Sequence, residues 1–88
     1  MYDIHDEIDN PNLEESINQL ETLARRGYFK VPEYTYEESH DKDGNPIWHV
    51  ECHIEGMKYS YFSEGSSKKR AKKEAAFQML SYILDLDE

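Results

Sequence analysis

Cysteine occurs once in the 88 residues, as Cys52, so no internal disulfide can form. A lone thiol suits a reducing compartment, and the expected localisation is cytoplasmic. No apolar run approaches the roughly 20 residues that a membrane-spanning helix needs. The opening Met1-Tyr2-Asp3-Ile4-His5-Asp6 has neither the basic start nor the apolar stretch of a signal peptide. No membrane partner is therefore expected. Internal repeats are absent as well, and the length is that of one small domain. A domain this small has little room for an internal ligand cavity or a buried catalytic cleft, which argues against a small-molecule substrate.

Chemistry-bearing constellations are equally scarce. The scattered acids offer no convincing catalytic pair, so no catalytic residue is assigned and the chain is not read as an enzyme. Gly65-Ser66-Ser67-Lys68-Lys69 lacks the glycine-to-glycine spacing of a P-loop. His49, Glu51 and His53 would share one strand face, but same-face neighbours lie about 6.6 Å apart along a strand, too far for the two histidines to chelate one ion readily. Neither a metal nor another cofactor is expected. Cys52 falls on the opposite, buried phase of that strand and reads as core.

What is present is a core and an uneven charge. Hydrophobic residues make up 38% of the chain and include seven Tyr, three Phe and one Trp. The net charge of −9 would seem to exclude a polyanionic partner, but it is not spread evenly. Residues 1–66 hold five basic and fifteen acidic side chains, whereas residues 67–77 hold five basic and one acidic. Half of all Lys and Arg thus stand at Lys68, Lys69, Arg70, Lys72 and Lys73, and that local density is what a partner feels within a Debye length of roughly 8 Å.

Patterning predicts the elements. Residues 1–9 read as an acidic flexible tail. Asn10-Pro11 reads as a helix start, Leu13, Ile17, Leu20, Leu23 and Ala24 recur at helical spacing, and Arg25-Arg26-Gly27 is a stop. A strand is expected over Glu33–Glu38, a polar turn over Asp41–Pro46, and a second strand where Trp48, Val50, Cys52 and Ile54 alternate with polar residues. Glu55-Gly56 can make a tight turn, a third strand is expected over Met57–Phe62, and Glu64-Gly65-Ser66 should break it. A second helix is predicted from Lys68 to about Leu84, followed by an acidic tail at residues 85–88. The expected fold is α+β, an α-β-β-β-α two-layer sandwich with two helices packed on one face of a three-stranded antiparallel sheet.

The start of the last helix breaks a stability rule. Ser67 suits the N-cap, yet Lys68 and Lys69 place positive charge where the helix dipole is already positive. Such breaks tend to mark function, and free N–H groups, dipole and lysines together suit phosphates. At about 100° per residue, Lys68, Lys72 and Lys69 fall near 0°, 40° and 100°. Ala75, Met79, Ala76 and Ile83 occupy nearly the same arc, so the lysines are expected to project past the core while Arg70 points elsewhere. The alternative is a plain solvated helix surface, and spacing alone leaves both readings open.

The same stretch resembles the double-stranded RNA-binding domain family. Gly65, Ser67-Lys68-Lys69, Ala71-Lys72 and Ala75-Ala76 fit its Gly-x-Ser-Lys-Lys-x-Ala-Lys-x-x-Ala-Ala signature. Pro32-x-Tyr34 before the first strand, the leucine-patterned first helix and Trp48 on the second strand match too. The resemblance covers roughly residues 10–84, in the family's element order. It implies binding to A-form duplex RNA by shape, 2′-hydroxyls and phosphates over about 16 base pairs. By carry-over Lys68, Lys69 and Lys72, beside Ser67, bridge phosphates across the major groove. Asn18, Thr22 and Arg25 or Arg26 face one minor groove, and the turn around Gly44-Asn45-Pro46 reaches the next. Trp48, Tyr59, Tyr61 and Phe62 then read as core or sheet surface, because a duplex presents no splayed bases to stack.

Two departures from the family pattern stand out. Thr22 occupies a position where the family usually has Glu, and the usual Gly-Pro-x-His turn is replaced by Asp41-Lys42-Asp43-Gly44-Asn45-Pro46-Ile47, with no His. Asp41 and Asp43 would lie close to phosphates, so a modest affinity is expected. Two other functions are compatible with the chain: a protein-interaction module using a sheet or helix face of the same scaffold, and the RNA-binding appendage of an enzyme such as a ribonuclease that cuts duplex RNA.

Overall fold

The computed structural model describes residues 11–86. A 3-10 turn at Leu13–Glu15 runs into α1 (Ser16–Arg25), followed by β1 (Glu33–His40), β2 (Pro46–His53), β3 (Tyr61–Gly65) and α2 (Lys68–Leu86). The strands form one antiparallel sheet in the order β1-β2-β3, giving the expected α-β-β-β-α fold. The acidic segment 1–9, the Asn10 cap and the last two acids lie outside the described residues.

The helical start shifts from its expected place. Pro11 precedes the helix, and Asn12 is the cap, its side-chain oxygen accepting from the Glu14 amide at 2.9 Å. Ser16 is fully buried and its hydroxyl donates to the Asn12 carbonyl at 2.6 Å. Leu20 and Leu23 are buried, whereas Leu13 is exposed on the 3-10 turn. The stop is as expected: Gly27 takes φ +91°, its amide donates to Ala24, and the Tyr28 amide donates to Leu23. This paired closure satisfies carbonyls that the helix end leaves free.

On β2, Val50 and Cys52 are buried and Trp48 is half-buried, all facing the helices, while His49, Glu51 and His53 face away. The register pairs Tyr34 with Cys52, Tyr36 with Val50 and Glu38 with Trp48, which puts both tyrosines on the helix side. α2 supplies Ala71, Ala75, Ala76, Met79, Leu80, Ile83 and Leu84 to the core.

The third strand differs from expectation. It runs over Tyr61–Gly65, so Glu64 and Gly65 lie inside the ladder, opposite His49 and Trp48. Residues 57–60 are drawn out of it by their own contacts. Gly56 turns at φ +93°, Met57 packs on the core, the Ser60 hydroxyl shares a 2.9 Å hydrogen bond with His53 Nδ1, and Tyr59 meets Tyr82 edge-to-face. The last helix continues through Leu86, two residues beyond the expected end. Among the described residues no helix is long and apolar enough to cross a membrane.

Candidate functional site

The candidate site is built where α2 begins. The Ser67 hydroxyl accepts from the Arg70 amide at 3.2 Å and its carbonyl accepts from Ala71 at 3.1 Å, so Ser67 is the N-cap expected of it. Gly65, two residues earlier and the last of β3, brings the sheet within contact of this first turn: a Cβ there would lie 3.2 Å from the Ala71 nitrogen.

Five cations follow the cap, and the fold separates them into two groups. Lys68 and Lys72 turn toward the sheet. The Lys68 ammonium lies 4.7 Å from the Tyr36 ring centroid and 4.9 Å from that of Trp48. The Lys72 ammonium lies 4.5 Å from the Tyr34 ring. They share the arc of the core residues, as the helical wheel requires. Their ammonium groups rest over aromatic rings rather than extending past the sheet, which corrects the expected projection.

On the other side, Arg70 is 3.9 Å from Glu74 and Lys73 donates to Glu14 at the start of the first helix. The Lys73 ammonium, first as hydrogen-bond donor and then as a charge, holds the Glu14 carboxyl below the usual carboxylate range. Lys69 makes no hydrogen bond or ring contact among the described residues and lines a shallow cleft with Leu13, Glu14, Ser67, Arg70 and Lys73. Three lysines thus present ammonium groups beyond the cap, two of them resting on rings and one open to solvent.

The remaining candidates lie apart from this turn. Asn18 and Thr22 stand one turn apart on the exposed side of α1, Asn18 donating to Glu15 at 3.2 Å. Arg25 pairs with Glu21 at 3.6 Å, and Arg26 is exposed at the end of the helix. Asn45 closes the β1–β2 turn, whereas Pro46 is the first residue of β2, opposite His40. The Asp41 carboxylate accepts from the amides of Asp43 and Asn45 at 2.9 Å each, and from the Asn45 side chain at 3.4 Å. These bonds, the Asn45 amide foremost, hold the Asp41 carboxyl below its ordinary range. Asp41 therefore directs its charge into the turn.

Some of this was not visible in the spacing. The ring platform under Lys68 and Lys72 joins residues some thirty positions apart, and only the strand register brings them together. The Glu14–Lys73 contact spans 59 positions. The Asp41 bonds had a local signal, an Asp followed by Gly-Asn in a polar turn. Behind the platform, the Tyr34 hydroxyl is buried without a well-formed hydrogen bond. Burial raises its pKa and, likewise, lifts that of its neighbour Cys52 to about 11, so neither group ionises near neutral pH. Cys52 is core, as its strand phase implied.

A family model described as the double-stranded RNA binding motif matches residues 16–83. The chain is 51% identical over 85 residues to a Ribonuclease 3 of Roseburia hominis, covering 97% of this chain and 24% of that protein. It is 29% identical to a Ribonuclease 3 of Treponema succinifaciens, over 92% of this chain and 22% of the relative. A Ribonuclease 3 of Legionella pneumophila strain Corby is 28% identical over 86% of this chain and 36% of its own length. The chain spans about a quarter of the first two of these proteins.

Proposed function

The chain belongs to the double-stranded RNA binding motif family, and from that premise we propose that residues 10–84 bind A-form RNA duplexes by shape and phosphates, without reading base sequence. The observation that carries this reading is the set of three ammonium groups, Lys68, Lys69 and Lys72, arranged just beyond the Ser67 cap. Helix dipole, free amides and lysines there address phosphates across the major groove. Asn18 and Thr22 on α1, with Arg26 at its C-cap, take one minor groove, and Asn45 and Pro46 the next. The second of these is the weaker contact, because the turn carries Asp41 and Asp43 and has no His. The lone buried thiol suits a reducing compartment such as the cytoplasm.

A second reading extends the first: the module is one part of a ribonuclease, supplying duplex binding while another part cuts. It is favoured by the relatives, each named Ribonuclease 3, of which the chain spans a fraction. The 88 residues alone are then expected to bind without cleaving.

Titration with duplex RNA, duplex DNA and single-stranded RNA at two salt concentrations, followed by amide NMR shifts, tests both readings. Duplex RNA should bind best, with shifts at α1, the β1–β2 turn and the start of α2. Replacing Lys68, Lys69 and Lys72 by Ala should lower affinity about tenfold or more and reduce the slope of log affinity against log salt by roughly one per lysine. An unchanged slope sinks the phosphate assignment, and cleaved RNA in the same samples sinks the division of labour.

A further inference from the structure

The outer face of the sheet, turned away from both helices, is left unused by duplex binding. The register arranges it in cross-strand rows: Glu33 with His53, then Thr35, Glu51 and Phe62, then Glu37, His49 and Glu64. Phe62 is 67% exposed. A lone exposed apolar side chain is ordinary on a protein surface, but the setting of this one is not. With Thr35, Glu37, His49 and Glu51 it lines a shallow depression of about 180 Å³. The groups around it are held in place. The Thr35 hydroxyl donates to Glu51 at 3.4 Å, and His49 stands between the Ser39 hydroxyl, 2.7 Å from Nε2, and Glu64, 3.4 Å from Nδ1. A neutral ring with its proton on Nδ1 satisfies both contacts and adds no charge. Glu33 and Glu37 make no hydrogen bond or ion pair among the described residues. The strands supply no Lys or Arg, so four carboxylates surround an exposed ring without a strand-borne cation.

We propose that this face docks an extended, arginine-bearing segment of another protein, with one guanidinium over the Phe62 ring and paired to Glu51 or Glu64. Arginine suits the site because its planar group stacks on an aromatic face and forks onto a carboxylate at once. An extended segment repeats its same-face side chains about every 6.6 Å. That is also the spacing of Glu33, Thr35 and Glu37 along β1, so successive arginines meet successive rows. Charge disfavours the other occupants. Residues 1–9 hold Asp3, Asp6, Glu7 and Asp9 and no Lys or Arg; a second copy laid face to face sets acids against acids; and RNA is a polyanion. Two inter-strand spacings make the face about 10 Å across, small beside the roughly 800 Å² per partner of a stable interface. The occupant is therefore a peptide segment held in exchange. This inference does not rest on the duplex-binding reading.

The probe is a short synthetic peptide of alternating Arg and Ser, titrated into the protein at low ionic strength, where such pairs are least screened. Amide NMR shifts should saturate and centre on Thr35, Glu51 and Phe62. Phe62→Thr keeps a strand-forming residue at an exposed position and should weaken binding about threefold through loss of the ring. Glu51→Gln should weaken it about twofold or more. Asp85→Asn, an equal loss of charge on the exposed end of α2, should leave the affinity within the error of the titration. A Phe62→Thr protein with a native spectrum and wild-type affinity overturns the proposal. So do equal losses in Glu51→Gln and Asp85→Asn, which reduce the binding to net charge, and this comparison stands even where Phe62→Thr fails to fold. Shifts confined to the helices place the peptide elsewhere and overturn it too. Sedimentation that shows self-association, with shifts on this face before peptide is added, gives the face to a second copy instead.

Discussion

A Cβ on Gly65 would stand 3.2 Å from the Ala71 nitrogen and 3.5 Å from the Ala71 Cα and Cβ. The backbone there has ordinary φ, so the need for glycine comes from close approach and not from conformational freedom. Gly65→Ala must push the first turn of α2 away by a few tenths of an ångström, against a helix that is fixed by its alanine-lined core face. Overpacking of this kind costs about 1 kcal/mol, which urea unfolding should reveal, with amide shifts concentrated at residues 65–72. Retention of full stability would mean that the turn can yield. Sequence pattern had marked this glycine as a strand breaker, because a missing side chain reads alike whether the chain turns or another element comes near. Lys69 and Ser67 were legible from local rules alone. Lys73 was not, since its partner Glu14 lies in the 3-10 turn that precedes α1.

At the scale of elements, the two helices and β2 were readable because each buries one face and so repeats its apolar residues at the period of its geometry. β3 was not, because Tyr59 and Tyr61 alternate properly while only Tyr61 pairs with β2; Tyr59 instead meets Tyr82 on α2. The β1–β2 turn is set by one carboxylate. Asp41 accepts three hydrogen bonds from within the loop, and Gly44 takes φ +86° to close it. A carboxyl whose pKa is lowered by folding stabilises the fold above its unfolded value and loses that contribution as pH falls through the folded one. The turn should therefore tighten fully above the ordinary carboxyl value of 3.8 and loosen progressively below it. Protection of the Asp43 and Asn45 amides, measured as exchange relative to the intrinsic rate at each pH, should fall in that acid range for the wild type, while Asp41→Asn should remove that fall. Identical pH profiles in the two proteins would show that another group governs the turn.

For the whole molecule, the question is how a chain of net charge −9 keeps a polyanion-binding surface. The fold answers by gathering a group of acids on the face of the sheet that lies away from the lysines. The three strands carry no lysine or arginine, and their face away from the helices displays Glu33, Glu37, Glu51 and Glu64. The lysines of α2 stand on the other side of the sheet. Glu14 and Glu74 are acids drawn toward the cations of α2, the first neutralised by Lys73 and the second paired with Arg70. The layers of a two-layer fold are about 10 Å apart, which exceeds the Debye length of roughly 8 Å at 0.15 M salt and is well inside the roughly 30 Å at 0.01 M. The acids should therefore oppose RNA binding only when salt is low. Replacing Glu33, Glu37 and Glu51 together by Gln is expected to raise duplex RNA affinity several-fold at about 0.01 M salt and by less than about twofold at 0.15 M, on the same screening argument. Affinities at both ionic strengths decide the matter. An equal gain at both would place the acids close enough to touch the duplex, whereas no gain at low salt would mean that the sheet face lies outside the field the RNA experiences.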